Sequence, residues 1–178
     1  CRVTNKICDQ RYQAIRPYSI ASTPKIDGAS FLVEKIPNGE VSSFLYDFSD
    51  IGDKIQISNP IGMRFILQNK KIPIFIASGS GIAPFISMSN YLKNKRELFY
   101  MYHWSKNFSG LVNFMENKKD LNSFYFPSIT REKPLNWLGG KERINTKTFI
   151  NLDKNKNYEL YICGSDLFVE NALEIISK

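Results

Sequence analysis

Four short stretches of this chain combine residue types at spacings that can carry chemistry. The strongest is Ile72-Pro-Ile-Phe-Ile-Ala-Ser-Gly-Ser-Gly-Ile-Ala-Pro-Phe85. An apolar run ends in Gly79-x-Gly81, and Pro84 stands in the first turn of a helix, where its missing N–H costs nothing. Glycines let the backbone approach a phosphate closely. The free N–H groups and positive dipole of a helix start then favour the anion. The same residues serve equally as a tight strand-to-helix turn with no ligand. The third glycine of the dinucleotide fingerprint is missing, as is the Gly-Lys-Ser/Thr of a Walker A loop.

The second stretch, Arg16-Pro-Tyr-Ser-Ile-Ala-Ser22, places a cation, an aromatic face and hydroxyls on one extended segment. Alternation in a strand puts Arg16, Tyr18 and Ile20 on one side and Ser19 on the other. Arginine suits a diphosphate and a tyrosine ring suits a planar heterocycle, although an ordinary edge strand reads the same way. Gly39-Glu-Val-Ser-Ser-Phe-Leu45 offers hydroxyls and N–H groups at a helix start, and by itself it is a plain N-cap. Tyr161-Ile-Cys163-Gly164 ends an expected strand with a thiol, at the end where open α/β sheets bind ligands; an inert buried cysteine is the alternative. The only histidine, His103, makes a Ser/His/Asp triad unattractive and is read as structural, near a strand end.

Two kinds of element must position these residues. Before about residue 65 the signals are short and β-like. Strands are expected at 17–22, 31–36 and 51–58, and a short helix over 41–48 carries Phe44, Leu45 and Phe48 on one face. From residue 68 the pattern becomes β/α alternation. Strands are predicted at 72–77, 98–103, 123–129 and 158–163, with helices at 82–93, 111–117, 146–151 and 166–177. The last helix is amphipathic, with Phe168, Ala172, Ile175 and Ile176 on one face. Such repeats imply a parallel sheet covered by helices.

Composition excludes several classes. With 43% hydrophobic residues and 13 Phe in 178 residues, the chain buries a core and is not disordered. The most apolar stretch, 72–86, is interrupted by proline, serine and glycine and does not read as a membrane span. Three cysteines, Cys1, Cys8 and Cys163, lack disulfide or zinc spacing, so no metal site and a reducing compartment are expected. That compartment is the cytoplasm, or an organelle if a targeting segment lies upstream. The 24 Lys and Arg outnumber 17 Asp and Glu by +7. These cations are scattered, which argues against nucleic acid and leaves room for an acidic protein partner.

In their order along the chain, RPYSIAS, GEVSSFL, GSGIAPF and YICG resemble the ferredoxin–NADP reductase family, the flavin-dependent module of ferredoxin, oxygenase and flavin reductases. The resemblance spans residues 16–164. It implies a two-domain chain. Residues 1–67 would form an antiparallel Greek-key β-barrel for FAD, and residues 68–178 an α/β parallel-sheet domain for the nicotinamide nucleotide. Only fifteen residues precede Arg16, and they do not look like the family's preceding strands, so the barrel is expected to be incomplete on its N-terminal side.

By the same resemblance, Arg16 with Pro17 pairs with the FAD diphosphate, Tyr18 stacks on the flavin and Ser19 approaches its N5. Val41, Ser42 and Ser43 hold the FAD phosphates and ring edge. Gly79, Gly81, Ile82 and Pro84 form the diphosphate loop for NADP or NAD, and Cys163 and Gly164 lie beside the nicotinamide. Thr130 and Arg131 fall where NADP-selective members grip the 2′-phosphate, although the adjacent Glu132 leaves NAD open. Ser19 and Cys163 are the implied catalytic residues. His103-Trp-Ser-Lys106 resembles the family's H-G-x-R with Trp104 in place of glycine. The implied activity is hydride transfer from NAD(P)H to FAD, then electrons to an acceptor protein such as ferredoxin, flavodoxin or an oxygenase component. A reductase of free flavin and a non-catalytic electron-transfer subunit are the alternatives.

Overall fold

Short extended segments broken by proline and glycine build a small antiparallel sheet early in the chain. In it β1 (Arg2–Thr4) lies between β2 (Ile15–Pro17) and β3 (Gln56–Ile57), with Val3 opposite both Arg16 and Ile57. The computed structural model describes residues 2–4, 14–24, 28–62, 65–68, 70–111, 122–132 and 134–178. Cys1, Cys8 and all but the first residue of the helix expected at 111–117 lie outside them. The chain divides into two units, Cys1–Phe65 and Ile66–Lys178.

Several expectations for the first unit need correction. Residues 2–4 do form a strand, and it is the central one. The strands expected at 17–22 and 31–36 meet only through an Ile20–Phe31 bridge, extended by Ala21 N–H to the Ser30 carbonyl (2.8 Å). Pro17 and Pro24 bracket the segment between them and limit how far a ladder could run. The strand expected at 51–58 shrinks to β3 because Gly52, at φ +106°, makes a turn at 50–53. The helix α1 (Glu40–Ser43) widens into a π turn over Phe44–Phe48, and the Ser49 hydroxyl donates to the Leu45 carbonyl at 2.7 Å. Because the widened turn breaks the 3.6 period, Phe48 is exposed rather than facing inward with Leu45.

The second unit is a four-stranded parallel sheet. Its strands are β4 (Ile72–Ser78), β5 (Phe99–Ser105), β6 (Ser123–Ile129) and β7 (Tyr158–Cys163), in spatial order β6-β5-β4-β7. The helix α2 (Ala83–Asn94) connects β4 to β5, and α3 (Asp166–Ile176) follows β7. Pleating sends alternate residues of β4 into two cores. Phe75 is fully buried against Phe85 of α2 (ring centroids 5.0 Å), Phe99 and Tyr161. On the opposite face Ile74 and Ile76 pack with Tyr102, Trp104, Ile144 and Ala172 of α3.

The helix expected at 146–151 is a chain of tight turns. Its backbone bonds reach back three residues, Thr148 to Asn145, Ile150 to Lys147 and Leu152 to Phe149. Asn145 caps the first turn: its side-chain oxygen accepts the Lys147 N–H at 2.9 Å, and Thr148 Oγ1 accepts the Asn145 N–H at 3.0 Å. This segment nonetheless covers the sheet, because Trp104 Nε1 donates to the Glu142 carbonyl (3.0 Å) and draws Ile144 into the core. Among the described residues no helix is long and apolar enough to cross a membrane.

Candidate functional site

Three strands of the sheet are laid down in one direction, β4 to β5 to β6, and the fourth, β7, returns to the other side of β4. The carboxyl ends of β4 and β7 therefore flank the point where the winding reverses, which is where open α/β sheets form their ligand crevice. After Ser78 the chain makes a 3₁₀ turn over Gly79–Ile82 and continues as α2, with Pro84 in the first turn. Gly79 sits at φ +53°, in the left-handed region that favours glycine. Neither the turn nor α2 has a side-chain cap or an acidic residue in its first turn, so the N–H groups there have no competing carboxylate. These are the features of an anion cradle.

The two strand ends are packed backbone to backbone. A β-carbon at Gly81 would lie 2.6 Å from the Cys163 carbonyl oxygen and 2.9 Å from Gly164 Cα. Backbone cannot yield there, and only glycine fits. A β-carbon at Gly164 would lie 2.3 Å from Ser78 Oγ and 2.8 Å from the Phe168 ring. Gly79, Gly81, Ile82, Pro84, Cys163 and Gly164 are thus gathered in one place, although 79 and 163 are far apart in sequence. Cys163 is half-buried, and burial pushes its thiol up against the opposing effect of the Gly164 N–H. It is a neutral thiol at pH 7, suited to contact rather than nucleophilic attack.

The sequence reads His103 as structural but does not reveal what it holds. The ring is fully buried on β5, with Nε2 3.0 Å from the Gly79 carbonyl and Nδ1 3.0 Å from the Tyr125 hydroxyl on β6. A carbonyl only accepts, so Nε2 carries the proton and Nδ1 accepts from Tyr125. Burial pushes the histidine down to about 4, keeping it neutral, and pushes the tyrosine up. The three groups lie on β5, on β6 and in the turn after β4, and no local motif signals their meeting.

Thr130 and Arg131 follow β6 on the same edge of the sheet. The Thr130 N–H and hydroxyl both donate to the Ser105 carbonyl, and the Arg131 N–H donates to the Lys106 carbonyl. This pins the loop and leaves the Arg131 side chain exposed. The Glu132 carboxylate accepts the Phe108 N–H, which engages it in loop structure.

In the first unit Arg16 and Ser19 are exposed and Tyr18 is half-buried. Burial pushes the Tyr18 phenol up against the lowering effect of Arg16. The Arg16 guanidinium meets Glu40 at 3.3 Å across an exposed surface. Val41 and Ser42 are buried, and the Ser42 hydroxyl is committed to its own turn, accepting the Ile36 N–H at 3.2 Å. The Ser43 N–H donates to the Gly39 carbonyl.

Comparison with known proteins agrees with this geometry. A family model described as oxidoreductase NAD-binding domain matches residues 75–174, from the middle of β4 into α3. The chain is 37% identical over 73 residues, 41% of its length, to the toluate 1,2-dioxygenase electron transfer component of Pseudomonas putida, of which it covers 22%. The fold is similar to that of the FAD/NAD-binding domain of a nitric oxide dioxygenase from Vibrio cholerae (TM-score 0.84, 15% identity, 99% of this chain and 76% of that one). It is also similar to a ferredoxin NADP+ reductase from Neisseria gonorrhoeae, solved with bound FAD and NADP (TM-score 0.79, 18% identity, 99% and 76%). The chain spans about a quarter of the length of the curated relatives it matches. With the second half of β4, its glycine turn, β7 and most of α3 inside the matched region, the chain belongs to the oxidoreductase NAD-binding domain family, whose relatives here are ferredoxin reductase-like oxidoreductases.

Proposed function

We propose that this chain is the cofactor-binding part of an NAD(P)H-dependent flavoprotein reductase that serves an electron-acceptor protein. The observation that carries the reading is the glycine turn after β4, packed against Cys163-Gly164 at the winding reversal of the sheet. In this reading the N–H groups at Gly79–Ile82 take the coenzyme diphosphate, with Pro84 starting the helix behind them. Cys163 and Gly164 border the nicotinamide, where a neutral thiol gives a soft contact and a glycine gives room. The exposed Arg131 guanidinium, with Thr130, takes the 2′-phosphate, so NADPH is favoured over NADH.

FAD is assigned to residues of the first unit: Arg16 and Pro17 at the diphosphate, Tyr18 against the ring, Ser19 at N5, and the 41–43 backbone at the phosphates. When bound, FAD would supply a hydride acceptor for NAD(P)H and a one-electron donor towards ferredoxin, flavodoxin or an oxygenase component. Ser19 orients and tunes through one hydrogen bond. No protein acid or base is required for the hydride step. The excess of cations favours an acidic acceptor.

A second reading, reduction of free flavin, is favoured by one observation. Glu40 already neutralises Arg16 at 3.3 Å, which weakens that residue as a diphosphate clamp. One experiment separates the readings. The protein is mixed with FAD, desalted and titrated anaerobically with NADPH while the flavin absorbance is followed. Retained flavin that bleaches supports the flavoprotein. Flavin that washes away but is reduced in turnover supports the free-flavin reductase. Absence of any NAD(P)H-dependent reduction sinks both.

A further inference from the structure

The peptide between Gly79 and Ser80 is the first of the glycine turn, and its orientation decides which way the Ser80 N–H points. Glycine leaves that orientation weakly determined, because rotation about its backbone meets no β-carbon. A single 3₁₀ turn adds little restraint of its own. The Gly79 carbonyl, however, is taken from the core side by His103 Nε2–H at 3.0 Å, and His103 is in turn held by Tyr125 at Nδ1. Peptide bonds here are trans, so the Ser80 N–H points opposite to the Gly79 carbonyl, away from His103 and out of the core.

We infer that His103 is a positioning residue for the coenzyme: it locks the Gly79–Ser80 peptide in the orientation that presents the Ser80 N–H to the diphosphate. The inference rests on the nucleotide-binding reading above. A histidine suits the task because its two nitrogens bridge the carbonyl on one side and the phenol on the other. The ring stays neutral because burial outweighs the raising effect of its bond to the Gly79 carbonyl. His103 lies opposite Ala77 in the sheet register, two residues before the turn, so its reach is fixed by strand pairing.

The test uses two substitutions of matched length that differ in one donor, His103→Gln and His103→Met. NADPH affinity is measured by fluorescence titration and folding by thermal melting. The Gln amide can still donate to the Gly79 carbonyl, so its affinity should stay within about threefold of the unaltered protein. The Met variant should bind about tenfold more weakly, the worth of one hydrogen bond. Equal affinity of the Met variant and the unaltered protein overturns the inference. So does an equal loss in both variants, which marks a packing role only. If neither variant folds, Tyr125→Phe decides: about threefold weaker binding supports the lock, and unaltered binding overturns it. Failure of the unaltered chain to bind NADPH or NADH overturns the nucleotide reading instead.

Discussion

Arg131 and Glu132 are chain neighbours with opposite fates. The carboxylate that could take a ribose 2′-hydroxyl is engaged by the Phe108 N–H, while the guanidinium beside it is exposed above a pinned backbone. Arg131→Ala is therefore expected to weaken NADPH binding by about 10- to 150-fold and leave NADH nearly unchanged. Equal losses for both coenzymes, measured by titration, would place Arg131 elsewhere than at the 2′-phosphate. Ser19 is exposed, and its hydroxyl is the assigned partner of flavin N5. Ser19→Ala should slow single-turnover hydride transfer by about 5- to 150-fold while FAD stays bound on Tyr18. An unchanged stopped-flow rate would remove Ser19 from the site.

At the scale of elements, the site depends on how closely the β4 turn and the end of β7 approach. Gly81→Ala drives a methyl group into the Cys163 backbone, where nothing flexible can yield. The expected cost is about 1–3 kcal/mol of stability, and NADPH affinity should fall with it as the turn is displaced. The check is a melting curve beside a binding titration; a variant with unaltered melting and binding would show that the two loops are not packed as described. The 141–152 segment makes a related point. Without a helix there, the sheet face is still covered, because Trp104 holds the segment by a hydrogen bond and Ile144 and Phe149 fill the space.

At the scale of the whole molecule, most of the buried apolar side chains among the described residues belong to the second unit, on both faces of its sheet. Its one histidine ties stability to pH. The ring has an ordinary value of 6.5 and is pushed down to about 4 in the folded chain. Between those values the unfolded chain binds the extra proton, so this contribution is complete above pH 6.5 and is lost as pH falls towards 4. Urea unfolding should show roughly 2 kcal/mol less stability at pH 5 than at pH 7.5 from this group. In His103→Gln that part of the pH dependence should vanish, and an undiminished dependence would assign it to carboxylates instead.

Elements specified by local pattern are legible in the sequence alone. The strands at 123–129 and 158–163 coincide with β6 and β7, because short segments rich in aromatic and apolar residues and bounded by turn formers have few other uses. The glycine turn and the last helix are legible for the same reason. At 146–151, where the backbone closes three-residue turns instead of an α-helix, pattern alone selects the wrong element. The tertiary structure decided what sequence separation hides: the order β6-β5-β4-β7, the fit of Gly81 against Cys163, and the hold of His103 on Gly79. Each joins residues far apart along the chain, and such contacts form only when strand pairing brings distant backbones to one edge.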